Sequence, residues 1–174
     1  MQRELSNTGG EQSAGGFHAA AVALAAAVIA CLALWPVVFA SRVPAYGDNV
    51  SFWAPNSYFW ANEVKSGRFP LWNPHILGGV PFAADINHGL FYPPNWLVTI
   101  CELATALRIL VVAHVAIGIV GMYFFARRWL SSMSAAVWAG SVFAVSEMSL
   151  PLANHVVMLE SMSWLGFALY FSTR

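Results

Sequence analysis

The sequence predicts an all-α integral membrane protein, with about four transmembrane helices and a long outer loop carrying two interfacial helices. Three observations predict it. Of 174 residues, 59% are apolar or aromatic and only 9% are charged, against roughly 25% charged in an ordinary soluble domain. Eight Lys plus Arg balance eight Asp plus Glu, so no basic excess points to nucleic acid, and a net charge of zero suits a chain solvated by lipid. Several uncharged apolar runs approach the length needed to cross a hydrocarbon core. The two cysteines, Cys31 and Cys101, have neither disulfide-framework nor metal-ligand spacing.

Residues 1–16, rich in Gly, Ser and Gln, have nothing to bury and read as a disordered tail. Residues 17–174 form the membrane region. Its first span is the uncharged run 19–40, about 33 Å long as a helix. A cleavable signal is the rival reading, since Val38 and Ala40 fit the small-residue rule, but a signal's apolar stretch is normally about 7 to 15 residues. The second span is 109–126, closed by Arg127 and Arg128; the third is 133–150; the fourth is 156–171, closed by Arg174. Basic residues flanking spans stay on the cytoplasmic side. Arg127, Arg128 and Arg174 therefore face inward with the N-terminal tail, while residues 41–108 and the turn 151–155 face outward. Ala136 and Gly140, four apart in the third span, offer a close-packing face.

An outer loop of nearly 70 residues exceeds a simple connection, and loops of that length are usually functional. Pro55 suits the first turn of a helix and Gly67 a left-handed cap, so residues 55–66 read as the first interfacial helix. Carried back to Phe52, its phase puts Trp53, Trp60 and Val64 on one face, and Phe52, Phe59 and Glu63 on another. Gly67-Arg68-Phe69-Pro70-Leu71-Trp72-Asn73-Pro74-His75 and Gly78-Gly79-Val80-Pro81-Phe82 leave no room for a continuous helix or central strand and predict a fixed irregular loop. Pro93 and Pro94 then open a second interfacial helix over 96–107, with Leu97, Ile100, Ala104 and Leu107 at helical spacing.

Six of the eight acids, Asp48, Glu63, Asp85, Glu102, Glu147 and Glu160, fall in the outer loop or near the outer ends of spans. Ionisable groups inside spans are costly and tend to face a bundle interior or wet cavity. Glu147 and Glu160 thus indicate either a polar pocket opening outward or side chains that snorkel to the interface. His114, deeper in the second span, reads as hydrogen-bonded packing, with a proton relay as the alternative. Asp48, in Gly47-Asp48-Asn49, reads as a turn former; its short tether to the first span also places a carboxylate where it could act as a general base at the membrane surface.

Asp85-Ile86-Asn87-His88-Gly89 opens like a calcium loop, but Trp96 stands where the closing Glu should be. A divalent ion shared by Asp85, His88 and Asp48 is the remaining metal reading, and that mixed set specifies no particular metal. Asn49-Val50-Ser51 matches a glycan acceptor pattern. No Walker, Rossmann, zinc-hydrolase or nucleophile-elbow motif is present.

The ordered series Gly47-Asp48, Gly67-Arg68-Phe69-Pro70-Leu71-Trp72-Asn73-Pro74, Gly78-Gly79-Val80-Pro81-Phe82 and Phe91-Tyr92-Pro93-Pro94-Asn95 resembles the first outer loop of the bacterial YfhO-like membrane proteins. These are similar to the polyprenyl-phosphate-dependent glycosyltransferases of the C-type membrane fold. The resemblance, over roughly residues 20–172, implies inverting transfer of a sugar from a polyprenyl-phosphate carrier to an acceptor at the outer face of the bacterial plasma membrane. It implies Asp48 as the catalytic base. Arg42, Lys65 or Arg68 is expected, from position alone, to face the lipid phosphate, and Trp72, Asn73, Asp85, His88, His155 and Glu160 complete the expected donor or acceptor site. Members of that family have more spans and a C-terminal portion, so the expectation is the N-terminal part of such a fold, whether a truncated gene, a partial sequence or a split subunit with further helices from a companion chain. Two other classes stay open: a non-catalytic component that binds or moves a lipid-linked sugar, and a structural fragment.

Overall fold

The computed structural model describes residues 21–22, 24–40, 42–146 and 154–173. The expected tail 1–16, Glu147, the start of the 151–155 turn and Arg174 lie outside the described residues. Those described are helical, the sole strand-like feature among them being an isolated antiparallel bridge between Asn73 and Val80. In chain order the helices are α1 (Leu24–Ala33), α2 (Trp35–Val38), α3 (Ala54–Lys65), α4 (Leu103–Ala126), α5 (Met133–Val145), α6 (Val156–Ser163) and α7 (Leu165–Ser172).

Among the described residues α4 alone is long and apolar enough to cross a membrane; α1, α5 and the α6–α7 segment are shorter. The expected spans are corrected accordingly. The 19–40 run is interrupted at Leu34, two residues before Pro36, which has no N–H to continue the ladder. The second span starts six residues earlier than expected, at Leu103. The third ends at Val145, where Ser146 turns extended (ψ 162°). The fourth is divided by a turn at Trp164.

Helix α4 is the spine against which α5, α6 and α7 pack. Small residues set the spacing. Ala136 and Gly140 of α5 are buried, and a Cβ on Gly140 would sit 2.5 Å from the Ile119 carbonyl oxygen. At Gly166 of α7 a Cβ would run into the backbone of Gly121 and Met122. Gly166→Ala is therefore expected to push α7 off α4 and cost about 1–3 kcal/mol, as overpacking does. Thermal unfolding in detergent checks this, and an unshifted midpoint would place α7 elsewhere.

The long segment before α4, expected from sequence to be an outer loop, packs against α4 and α6. Residues Asn49–Trp53 form a π-helical turn running directly into α3, and Trp53 and Trp60 are buried on the face the periodicity predicts. Gly67 follows the Ser66 cap with φ 75°. The second interfacial helix is corrected to a 3-10 helix, Pro93–Thr99. Glu102 breaks the chain with an extended backbone (ψ 141°), and Leu103 to Leu107 belong to α4. Ile100, expected on the apolar stripe, is 80% exposed.

Tyr92 locks this loop to the helices. Its hydroxyl lies 2.6 Å from His114 Nε2 and accepts a 2.9 Å bond from Trp164 Nε1. His114 Nδ1 faces the Leu110 carbonyl at 2.7 Å; a carbonyl only accepts, so Nδ1 carries the proton and Nε2 accepts from Tyr92. Burial holds the Tyr92 phenol above its usual range; a phenol is protonated at neutral pH in any case, so it is the donor here. His114 is thus hydrogen-bonded packing. Tyr92→Phe orphans two groups at once and is expected to cost about 1–3 kcal/mol. That corresponds to a midpoint lower by about 2–4 °C per kcal/mol for a chain of this size; no change would remove this lock from the fold.

Candidate functional site

Gly47, with φ 57°, turns the chain so that Asp48 begins the helical stretch ahead of α3. Its carbonyl accepts from the Val50 and Ser51 amides, both at 3.2 Å. Asn49 is buried and bridges two distant segments. Its Nδ2 donates to the Pro44 carbonyl (2.9 Å), and its Oδ1 accepts from Val156 N (3.0 Å), one of the free amides at the start of α6. His155, the N-cap of α6, accepts at its carbonyl from Met158 and Leu159. These bonds bring Asp48 and His155, 107 residues apart, into direct contact: Asp48 Oδ2 lies 2.9 Å from His155 Nδ1, with both side chains partly exposed.

The pair lines a cleft of about 270 Å³ whose wall includes Phe52, Trp53, Asn87 and Met158. A second groove, of about 980 Å³, shares Phe52 and Asn87 with it and runs past Pro55, Leu77 and Ile86. Trp53 presents a buried Nε1 with no partner among the described residues. A carboxylate, an imidazole and an apolar groove side by side suit proton abstraction from a hydroxyl next to a lipid-like ligand.

The other expected site residues divide. Asp85 caps a turn, its Oδ1 accepting from the Asn87 backbone and side-chain amides (2.9 Å each), and it borders the larger groove. His88 also borders that groove but is held as packing. It is buried, stacked on Phe82 at 3.9 Å and Phe52 at 5.5 Å, with Nδ1 2.9 Å from the Phe82 carbonyl. Among the described residues no three His, Cys, Asp or Glu side chains gather to hold a metal, so the shared ion of Asp85, His88 and Asp48 is not assembled. Asn73 is buried in its own turn, Oδ1 accepting from His75 N (2.9 Å). Trp72 lies across Gly79, where a Cβ would come 2.5 Å from the indole.

Arg68, expected toward a phosphate, is engaged by Glu63 through two bonds of 2.8 and 2.7 Å. The guanidinium holds the Glu63 carboxyl below its usual range. Arg42 and Lys65 are exposed and line neither cleft. Glu160 neither snorkels nor lines the cleft: it is buried, with Oε2 3.3 Å from Asn95 Nδ2. The glycan acceptor reading of Asn49 is also corrected, because its amide is buried and bonded.

Sequence reasoning missed Asn49 and Asn87 as builders of the site. Asn87 lay in view within Asp85-Ile86-Asn87-His88, whereas the partners of Asn49 are too far along the chain to leave a local signal. Comparison of the chain with protein-family models, with curated proteins and with solved structures gave no match.

Proposed function

We propose that the chain is a multi-pass membrane protein of the glycosyltransferase type, moving a sugar from a polyprenyl-phosphate donor to an acceptor at the outer face of a bacterial plasma membrane. The observation that carries the proposal is the Asp48–His155 contact inside a cleft that opens beside an apolar groove. Outer loop and α6 N-terminus meet there, as alternating spans require of two outward segments. At the other end of α4, Arg128 donates to the Thr173 carbonyl (3.0 Å) and sits over the Tyr170 ring, which sets it beside the end of α7 on the side read as cytoplasmic. The four-span reading is further supported by outward apolar faces: Leu24, Leu32, Trp138, Val142 and Met158 are all more than half exposed, which suits lipid contact better than water.

In this reading the cleft holds the acceptor hydroxyl, Asp48 supplies the negative charge needed to take its proton, and the groove holds the apolar carrier. Two measurements test it. Cysteine placed at Trp72 should react with an impermeant maleimide on intact cells, while cysteine at Arg128 should react only after permeabilisation; the reverse pattern would sink the topology. Membranes carrying the full chain, given polyprenyl-phosphate-linked glucose, mannose or galactose with a labelled sugar, should transfer label to a membrane acceptor above the empty-vector level. Binding of these lipids without transfer by the wild-type chain would assign it instead to carrier binding.

A further inference from the structure

Asp48 does not stand free in the cleft. One of its oxygens is 2.9 Å from a ring nitrogen of His155, and these are the only titratable side chains among the cleft's described lining residues. The bond uses Nδ1, and Nε2 has no hydrogen-bond partner among the described residues. The histidine is fixed from several sides. Its carbonyl caps α6, the next amide is held by Asn49, and Gly47 lies under the ring, where a Cβ would come within 3.3 Å of Cε1 and 3.4 Å of Nε2. A left-handed glycine at that point both makes the turn to Asp48 and leaves space for the imidazole.

We propose that His155 Nε2 is the atom that takes the acceptor's proton, with Asp48 holding Nδ1–H and stabilising the imidazolium that forms. This rests on the sugar-transfer reading. An imidazole oriented by a carboxylate on its far nitrogen is a recurrent general base, and proton transfer is most efficient when the base's ordinary range lies near the working pH, as an imidazole's does and a carboxylate's does not. The step balances. The acceptor O–H proton passes to His155 Nε2, and the acceptor oxygen's electron pair forms the new bond to the sugar's anomeric carbon. The bond from that carbon to the phosphate oxygen breaks, its electron pair leaves with the polyprenyl phosphate, and the imidazolium then gives its proton to water.

The test uses the full chain in membranes with the same labelled polyprenyl-phosphate hexoses. His155→Ala is expected to lower transfer about 100-fold or more, to keep the wild-type unfolding midpoint within a few degrees, and to recover at least about tenfold on addition of free imidazole. His155→Gln, which keeps a polar group of similar reach, should stay inactive with or without added imidazole. Wild-type transfer rates in His155→Ala would overturn the assignment. So would a loss that imidazole does not rescue together with an active His155→Gln, because that pattern belongs to a positioning residue. Absence of transfer by the wild-type chain would overturn the sugar-transfer reading and this assignment with it, whereas transfer by wild type and His155→Ala alike overturns this assignment alone.

Discussion

Under the sugar-transfer proposal, Asp48→Asn is expected to lower transfer by about 10²–10⁴-fold, the range contributed by a general base such as the His155 imidazole that Asp48 orients, with membrane insertion and thermal stability close to wild type. The contrast follows from where the side chain sits. Asp48 is 56% exposed and its partner 37%, and ion pairs at such sites are worth only about 0–1 kcal/mol. The backbone around it is held by other groups, the Gly47 carbonyl and the Asn49 amide, none of which the substitution touches. Asparagine keeps the size and removes the charge, so nothing stabilises a protonated imidazole beside it. Transfer assays read against the unfolding midpoint separate the two effects. Full activity in Asp48→Asn would remove the carboxylate from the chemistry, and a collapsed midpoint would show that the pair is structural.

What was legible in the sequence is what local chemistry dictates. Helix α3 could be placed almost to the residue because Pro55 and Gly67 punctuate it, and Trp53 and Trp60 show which face is buried. The 3-10 helix at Pro93–Thr99 was not legible. Leu97, Ile100, Ala104 and Leu107 satisfy a helical period that is in fact shared between two elements, and the break at Glu102 carries no Gly or Pro to announce it. The turn at Trp164 between α6 and α7 was not legible either, because Gly166, two residues on, reads equally well as a packing position within one helix. Asp48 and His155 could each be singled out, and the span alternation expected from sequence would put both on one side. Their contact depends on Asn49 reaching the amide of Val156, a tertiary fact with no counterpart in spacing. Arg68 shows the converse error: Glu63 lies five residues before it across the Gly67 turn, near enough to claim the guanidinium before any ligand does.

Phe82→Ala is expected to have the largest effect on stability, about 3–5 kcal/mol, or a midpoint lower by roughly 6–20 °C at 2–4 °C per kcal/mol. Phe82 is fully buried, with one face on the His88 ring at 3.9 Å and a 6° angle, and its edge region against Phe59 at 5.1 Å. Removing it empties a site whose neighbours cannot collapse inward, because Phe59 is anchored on α3 and His88 is bonded to the Phe82 carbonyl. The consequence reaches the cleft. His88 stacks on Phe52 on its other side, and Phe52 forms the wall that the dyad cleft shares with the groove, so a loosened His88 releases that wall. Transfer should therefore fall even below the unfolding midpoint, and limited proteolysis should open the loop between Arg68 and His88. Phe91→Ala is the control: that ring is 72% exposed, and surface substitutions of this kind usually stay within about 0.5 kcal/mol. Equal losses from the two variants would mean that burial under the loop does not set its stability, and that the stack on His88 does not hold the cleft wall.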